Sequence, residues 1–249
     1  MSDLNITVII VSRGLDALLK HCLETLHRAL KTTNNQGGHS VVVVDNGSEA
    51  PYSRDEMSAL GAQLVRFDKP RSFARANNVA AISIPNDCYL LLNNDVFLAE
   101  DAITSMLRVM DRRPNAGICG SRLVFPDGTI QHCGVVFGEA EAGPYHIYRK
   151  KAGDLVPRVN REWQAVTGAC MLVKREVWEE LSGLDESYPF GLEDIDFCLR
   201  ARQRGWRIFC CNDTDSLHFE SMTPGRVELD VDSRRLFMQR WQGRYGVDG

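Results

Sequence analysis

Asn93, Asn94 and Asp95 follow directly on the apolar run of LLLNNDV. Carboxylate and amide oxygens are the hard donors that magnesium and manganese accept when the ion is shared with substrate phosphates. The same triplet also suits an Asx turn ahead of a helix. Glu193, Asp194 and Asp196 form a second acidic cluster. One carboxylate facing a cleft there would act as a general base, taking a proton from an attacking hydroxyl; acids in a first helical turn also simply complement the helix dipole. His218, in DSLHFES, follows an apolar strand and suits either a ligand or a satisfied structural histidine. Asp45, in DNGS, is divided between turn formation and binding.

These residues need elements to position them. ITVIIV (6–11) is a short continuous apolar run rich in β-branched residues, which predicts a strand buried on both faces. Leu15, Leu18, Leu19, Cys22, Leu26 and Leu30 recur at helical spacing and predict an amphipathic helix that ends before TTNNQGG. VVVVDNGS supplies a second strand, Gln63 to Phe67 a third, Ser72 to Ile84 a helix, Cys88 to Leu92 a fourth strand, and Asp101 to Arg112 another helix. Strand alternating with helix implies a parallel sheet with right-handed crossovers, in which ligands sit beyond the carboxyl ends of the strands. Ser12, Arg13, Asp45, Asn46, Asp68 and Asn93 to Asp95 all fall on that edge.

From about 116 the pattern changes. AGICGSRLVFPDGTIQHCGVVF predicts strands joined at Pro126, Asp127 and Gly128. Positions 138–162 lack a period and read as a mobile or substrate-shaped loop, in which Tyr145, His146 and Tyr148, with Trp163 beyond it, offer aromatic faces to a ring-shaped substrate; an ordinary surface loop is the other reading. TGACMLVKR is a strand, EVWEEL a short helix, and EDIDFCLRARQRGW an amphipathic helix opening on acids. The expectation is one α/β domain over 1–226, with two functional halves, a parallel one to about 95 and a mixed one from 96. The tail 227–249 combines Leu236, Phe237, Met238 and Trp241 with Arg234, Arg235, Arg240 and Arg244. It suits an amphipathic helix that docks on the domain, on a partner or peripherally on a membrane, with the domain favoured.

Composition bounds the function classes. The chain has 249 residues, 44% apolar and 25% charged, enough to bury a core without staples. A net charge of −4 gives no general attraction to nucleic acid, and none is expected as a partner. Eight scattered cysteines without a CxxC pair read as buried thiols of a reducing cytoplasm. The N-terminus lacks a signal-peptide pattern and no segment reaches the ~20 apolar residues of a membrane span. A soluble cytoplasmic protein is expected, with any membrane contact peripheral and through the tail.

Taken in order, VIIVSR, VVVVDNGS, SFARANN, LLLNNDV, VTGACMLVKR, GLEDIDFCLRARQRGW and LHFES resemble the bacterial family 2 glycosyltransferases of GT-A fold, in the branch of rhamnosyltransferases and other surface-polysaccharide enzymes. The resemblance covers positions 5 to about 226, and it is the ordered set rather than any one motif that is specific. It implies that Ser12, Arg13 and Asp45 hold the nucleotide base and ribose, with Arg75, Asn78 and Asn94 near the nucleotide. It implies that Asn93, Asn94 and Asp95 stand at the metal motif, with Asp95 the best-matched ligand and His218 an additional one for manganese or magnesium. Asp194 corresponds to the catalytic base, with Glu193 beside it, and Arg226 in SMTPGR is assigned a further diphosphate contact.

The implied reaction is inverting transfer of a sugar from a nucleoside diphosphate sugar, UDP- or dTDP-linked, to an acceptor hydroxyl on a glycan, lipid-linked glycan or protein. Two positions depart from the family pattern: Asn93 replaces an aspartate, and Ser72 stands where many members carry glycine. The alternative of another class is a non-catalytic sugar-nucleotide-binding protein on the same fold. A nucleotidyltransferase would need a glycine-rich triphosphate loop, which VIIVSRGLDALLK does not provide.

Overall fold

The first strand, β1 (Ile6–Ser12), is paired on both sides, and its Ile6, Val8, Ile9 and Ile10 have no solvent exposure. The computed structural model describes residues 4–14, 17–35, 38–139, 143–220 and 226–248, the side chains of 226–230 excepted. Helix α1 (Ala17–Lys31) buries Leu19, Cys22, Leu23, Leu26 and Leu30 on one face, as the spacing requires; Leu15 lies outside the described residues. The chain continues through β2 (Ser40–Asn46), α2 (Arg54–Ala59), β3 (Gln63–Phe67), α3 (Phe73–Ser83) and β4 (Cys88–Asn93). Helix α2 is not evident from periodicity. It is a single short stretch held by a capping box, in which Ser53 Oγ accepts from Glu56 N and Glu56 accepts from Ser53 N. In α3, Ser72 is the N-cap and accepts from Arg75 N at 3.2 Å.

The second half runs β5 (Val96–Phe97), α4 (Ala102–Arg112), β6 (Ala116–Val124), β7 (Ile130–His132), β8 (Val135–Phe137), β9 (Pro144–His146), β10 (Arg161–Trp163), β11 (Cys170–Lys174), α5 (Arg175–Glu180), α6 (Glu193–Gln203), β12 (Arg207–His218) and α7 (Arg226–Trp241). The main sheet has the order β10-β12-β6-β11-β4-β1-β2-β3. Strands β1 to β4 are mutually parallel, β11 is antiparallel to β4 and β6, and β12 runs parallel to β6. The expected α/β architecture with a parallel first half and a mixed second half is therefore present. Segment 138–162, expected as a loop, carries β9 and runs into β10. Each is only three residues long, too short for a periodic signal, and 140–142 lie outside the described residues.

Helices cover both faces of the sheet. One core joins β1, β2 and β4 to α1, α2 and α4, and the other joins the opposite faces of the strands to α3, α5, α6 and α7. Helix α7 belongs to that second core through Phe237 and Trp241, so the tail docks on the domain. All eight cysteines are free and buried. Among the described residues no helix is long and apolar enough to cross a membrane.

The chain leaves β1 toward β2 and β3 on one side and returns to β4 on the other. The carboxyl ends of β1 and β4 thus flank the crevice where the strand order reverses, the usual ligand position in such sheets. Val11 is in register with Asn93 there.

Candidate active site

Asn94 Nδ2 donates to Ser12 Oγ at 3.0 Å, joining the two loops across this crevice. Ser12 Oγ also lies 3.0 Å from the Tyr52 hydroxyl. Asp45 is fully buried beside them. Its Oδ1 accepts from Ser48 N at 3.0 Å, and its Oδ2 accepts from Tyr52 N at 3.2 Å and from the Arg66 guanidinium. Burial alone would raise its pKa, but the bonds from Ser48, Tyr52 and Arg66 outweigh it and hold the carboxylate below its ordinary value. Asp45 therefore shapes the loop after β2, and Ser48 in turn accepts from Gly14 N at 2.9 Å. Arg13 is exposed at the end of β1.

Asp95, in the turn between β4 and β5, and His218, the last residue of β12, are more than a hundred residues apart in the chain. Pairing of β5 with β12 sets His218 opposite Val96, and Phe219 N donates to the Asp95 carbonyl at 3.2 Å. His218 Nε2 consequently lies 3.3 Å from Asp95 Oδ1, with both side chains about 5% exposed. Asn93 Nδ2 is 3.5 Å from the same nitrogen. Adjacent ligands about 2.1 Å from an octahedral cation stand about 3 Å apart, so this oxygen and nitrogen fit one ion as neighbours. The donor set is also the chemistry manganese or magnesium accepts, provided that substrate phosphate and water supply the rest. Among the described residues no group of three or more His, Cys, Asp and Glu side chains could hold a metal alone. His218 Nδ1 is buried without a hydrogen bond there.

The second acidic cluster separates into three different roles. Gly191 and Leu192 both have positive φ, 76° and 70°, so the chain turns abruptly into α6. Asp194 Oδ2 accepts from Gly168 N at 2.6 Å, and its Oδ1 from Ile195 N at 2.8 Å. A Cβ on Gly168 would stand 3.2 Å from Asp194 Cβ, so a glycine lets this close approach occur without displacement. Burial raises the Asp194 pKa against these two amides. Glu193 is buried with Oε2 unpartnered, and burial together with the Asp194 charge pushes it up to about 8. Asp196 instead accepts from Tyr188, Trp241 and Arg200, and serves the packing of α7 on α6.

Asp194 lines a cavity of about 290 Å³ together with Tyr145, His146, Arg149, Thr167 and Glu220. Asn93 N donates to the Ala169 carbonyl at 2.9 Å, and Ala169 adjoins the Gly168 that holds Asp194. The metal-motif strand and the candidate base are thus joined through two residues of backbone. Arg75 and Asn78 lie elsewhere in contact terms: Arg75 pairs with Glu186, while Asn78 bonds Leu184 and Glu186. They hold the loop that leads into α6. The Arg226 side chain lies outside the described residues. Sequence reasoning passed over Tyr52, Arg66, His132, Thr167, Gly168, Arg149 and Glu220. Only register and side-chain contacts bring these to the site, although the strand ending at His132 is a signal that could have pointed to it.

The model of a glycosyltransferase-like family 2 matches residues 4–242. A 207-residue stretch is 32% identical to the O-antigen biosynthesis protein RfbC of Myxococcus xanthus, covering 80% of this chain and 16% of that protein. The N-acetylglucosaminyl-diphospho-decaprenol L-rhamnosyltransferase of Mycobacterium tuberculosis is 28% identical over 57% of this chain and 50% of its own. The chain therefore spans half or less of these curated relatives. Among solved structures, GalNAc-T7 with UDP, GalNAc and Mn2+ superposes with a TM-score of 0.69 at 13% identity, over 88% of this chain and 44% of that one. The mannosyltransferase PcManGT of Pyrobaculum calidifontis with GDP-Man and Mn2+ superposes at 0.65 and 15% identity, over 99% and 66%. These two likenesses establish the GT-A fold.

Proposed function

Because the chain belongs to the family 2 glycosyltransferases, we propose that it moves a hexose or deoxyhexose from a UDP- or dTDP-linked donor to an acceptor hydroxyl, with inversion. The observation that carries this reading is Asp194: a half-buried carboxylate oriented by two backbone amides, lining a cavity, and joined through two residues of backbone to the strand of the metal motif. The acceptor O–H gives its proton to Asp194 as its oxygen bonds to the anomeric carbon, and the bond from that carbon to the phosphate oxygen breaks on the opposite side. Desolvation raises the proton affinity of Asp194, which suits a base, and the amides of Gly168 and Ile195 keep it aimed. Glu193, held protonated near neutral pH, leaves the pair with a single negative charge.

Asp95 and His218, with Asn93, would hold a divalent cation, which when bound neutralises the leaving diphosphate. On this reading Ser12, Arg13 and Asn94 meet the nucleoside end, Asp45 frames that pocket through Ser48 and Tyr52, and Arg75 and Asn78 act through the 184–186 loop. The names of the M. xanthus and M. tuberculosis relatives support a glycan or lipid-linked glycan acceptor in surface-polysaccharide assembly. Eight buried free thiols support a cytoplasmic location.

The test is a donor screen by hydrolysis with manganese, followed by transfer assays. Asp194→Asn keeps the shape and removes the base, so transfer should fall at least about a hundredfold, while nucleoside diphosphate binding by calorimetry persists. Near wild-type transfer by that variant would remove Asp194 from the role.

A further inference from the structure

Two histidines beside this cavity are unexplained by the transfer chemistry. His132, at the end of β7, is fully buried, and its Nδ1 lies 2.8 Å from Nδ1 of His146 at the end of β9. One of the two must donate and the other accept. Thr167 N–H points at His132 Nε2 at 3.5 Å, and a backbone amide can only donate. His132 Nε2 is therefore an acceptor without a proton, and the neutral ring carries its hydrogen on Nδ1. His132 then donates to His146 Nδ1, and the hydrogen of His146 resides on Nε2.

His146 lines the cavity that holds Asp194, and among the described residues its Nε2 has no hydrogen-bond partner. We infer that Thr167, His132 and His146 form a tautomer relay that presents the Nε2–H of His146 as a fixed donor to a hydroxyl oxygen of the sugar acceptor. The relay rests on the transferase reading for its substrate, but its geometry does not. A donor at this point complements Asp194, which can only accept once ionised: one hydroxyl of the sugar is oriented by His146 while another loses its proton to Asp194. Both rings stay neutral at ordinary pH. Burial pushes His146 down to about 4, aided by Arg149 and His218 and opposed by Glu220; burial, His146 and His218 hold His132 well below its ordinary value. His132 is thus a positioning residue and His146 an acceptor-binding one.

Long-range ¹H–¹⁵N correlation spectra of the full chain labelled with ¹⁵N-histidine distinguish the two tautomers. At pH 7 His132 should show the Nδ1–H form and His146 the Nε2–H form; a His146 protonated on Nδ1, or on both nitrogens, overturns the relay whether or not transfer is observed. The kinetic arm uses octyl β-N-acetylglucosaminide as acceptor with the donor that the hydrolysis screen identifies. Glutamine places an amide N–H where the imidazole has Nε2, so His146→Gln should hold the acceptor KM within about threefold, whereas His146→Phe should raise it about tenfold, the worth of one neutral hydrogen bond. His132→Asn, which keeps a donor at the Nδ1 position, should lie closer to wild type than His132→Phe. An acceptor KM in His146→Phe equal to wild type sinks the inference. Absence of transfer by the wild type with every UDP- and dTDP-sugar counts instead against the transferase reading, and the spectra still decide the relay.

Discussion

Glu193 and Asp194 are neighbours in sequence in different surroundings, and the difference lies in the hydrogen bonds that reach their carboxyl oxygens. Asp194 receives two backbone amides, whereas Glu193 has a buried oxygen with none. The proton that Glu193 retains up to about pH 8 is lost near 4.5 in the unfolded chain. Across that window the folded state binds the extra proton, so stability declines as pH rises. His132 and His146, lowered from 6.5, act in the reverse sense below that pH, where the unfolded chain takes up protons the folded one does not. Toward pH 9 the buried thiols, whose pKa values burial raises, add a decline of their own; between pH 6.5 and about 8 the acids dominate, and the urea midpoint of the wild type should fall across that interval. Glu193→Gln should flatten most of that decline. An unchanged slope in the variant would show that Glu193 is ionised in the folded protein.

At the scale of elements, the join between α6 and α7 depends on Asp196. This buried carboxylate accepts from Tyr188 at 3.1 Å, from Trp241 Nε1 at 2.8 Å and from Arg200 at 2.7 Å. Arg240 adds an ion pair to Asp185, and Ser233 Oγ accepts from Phe190 N at 3.1 Å, so α7 clasps the segment leading into the strained turn at Leu192. Asp196→Ala leaves a buried tyrosine, tryptophan and arginine without their acceptor and should cost about 3–5 kcal/mol, measured by urea denaturation. Asp196→Asn preserves an acceptor oxygen and should cost less. Equal stability of wild type and the alanine variant would mean that α7 packs on Phe237 and Trp241 alone.

For the whole molecule, the two halves of the sheet meet at the site. The parallel half contributes Ser12, Asn94 and Asp95, and the mixed half contributes Gly168, Asp194 and His218. A nucleoside diphosphate held with a cation would bridge these elements and bind only the folded state, which stabilises the chain through mass action. Manganese with UDP or dTDP should therefore raise the thermal midpoint by more than the sum of either alone, and Asp95→Asn should reduce this synergy. Additive shifts in the wild type would argue that metal and nucleotide bind apart.

The strands and helices of the first half are legible in the sequence because a sheet buried on both faces demands continuous apolar runs, and its covering helices demand apolar faces at helical spacing. Those same runs mark where each strand ends, so Asp45, Asn93 to Asp95 and the acids at 193–196 stand out as polar residues at strand and helix ends. Sequence alone also carries the ordered motif series that identifies the family. What spacing cannot express is which of several adjacent polar groups is satisfied by the protein itself. Only tertiary contacts turned Asp45 inward onto Ser48, Tyr52 and Arg66, engaged Asp196 with α7, left Asp194 at the cavity, and brought His218 to Asp95 through two residues of β-pairing. Local sequence determines where a chain can bury itself, whereas the partner that saturates a hydrogen-bonding group arrives from far along the chain and is decided by the register and packing of the finished fold.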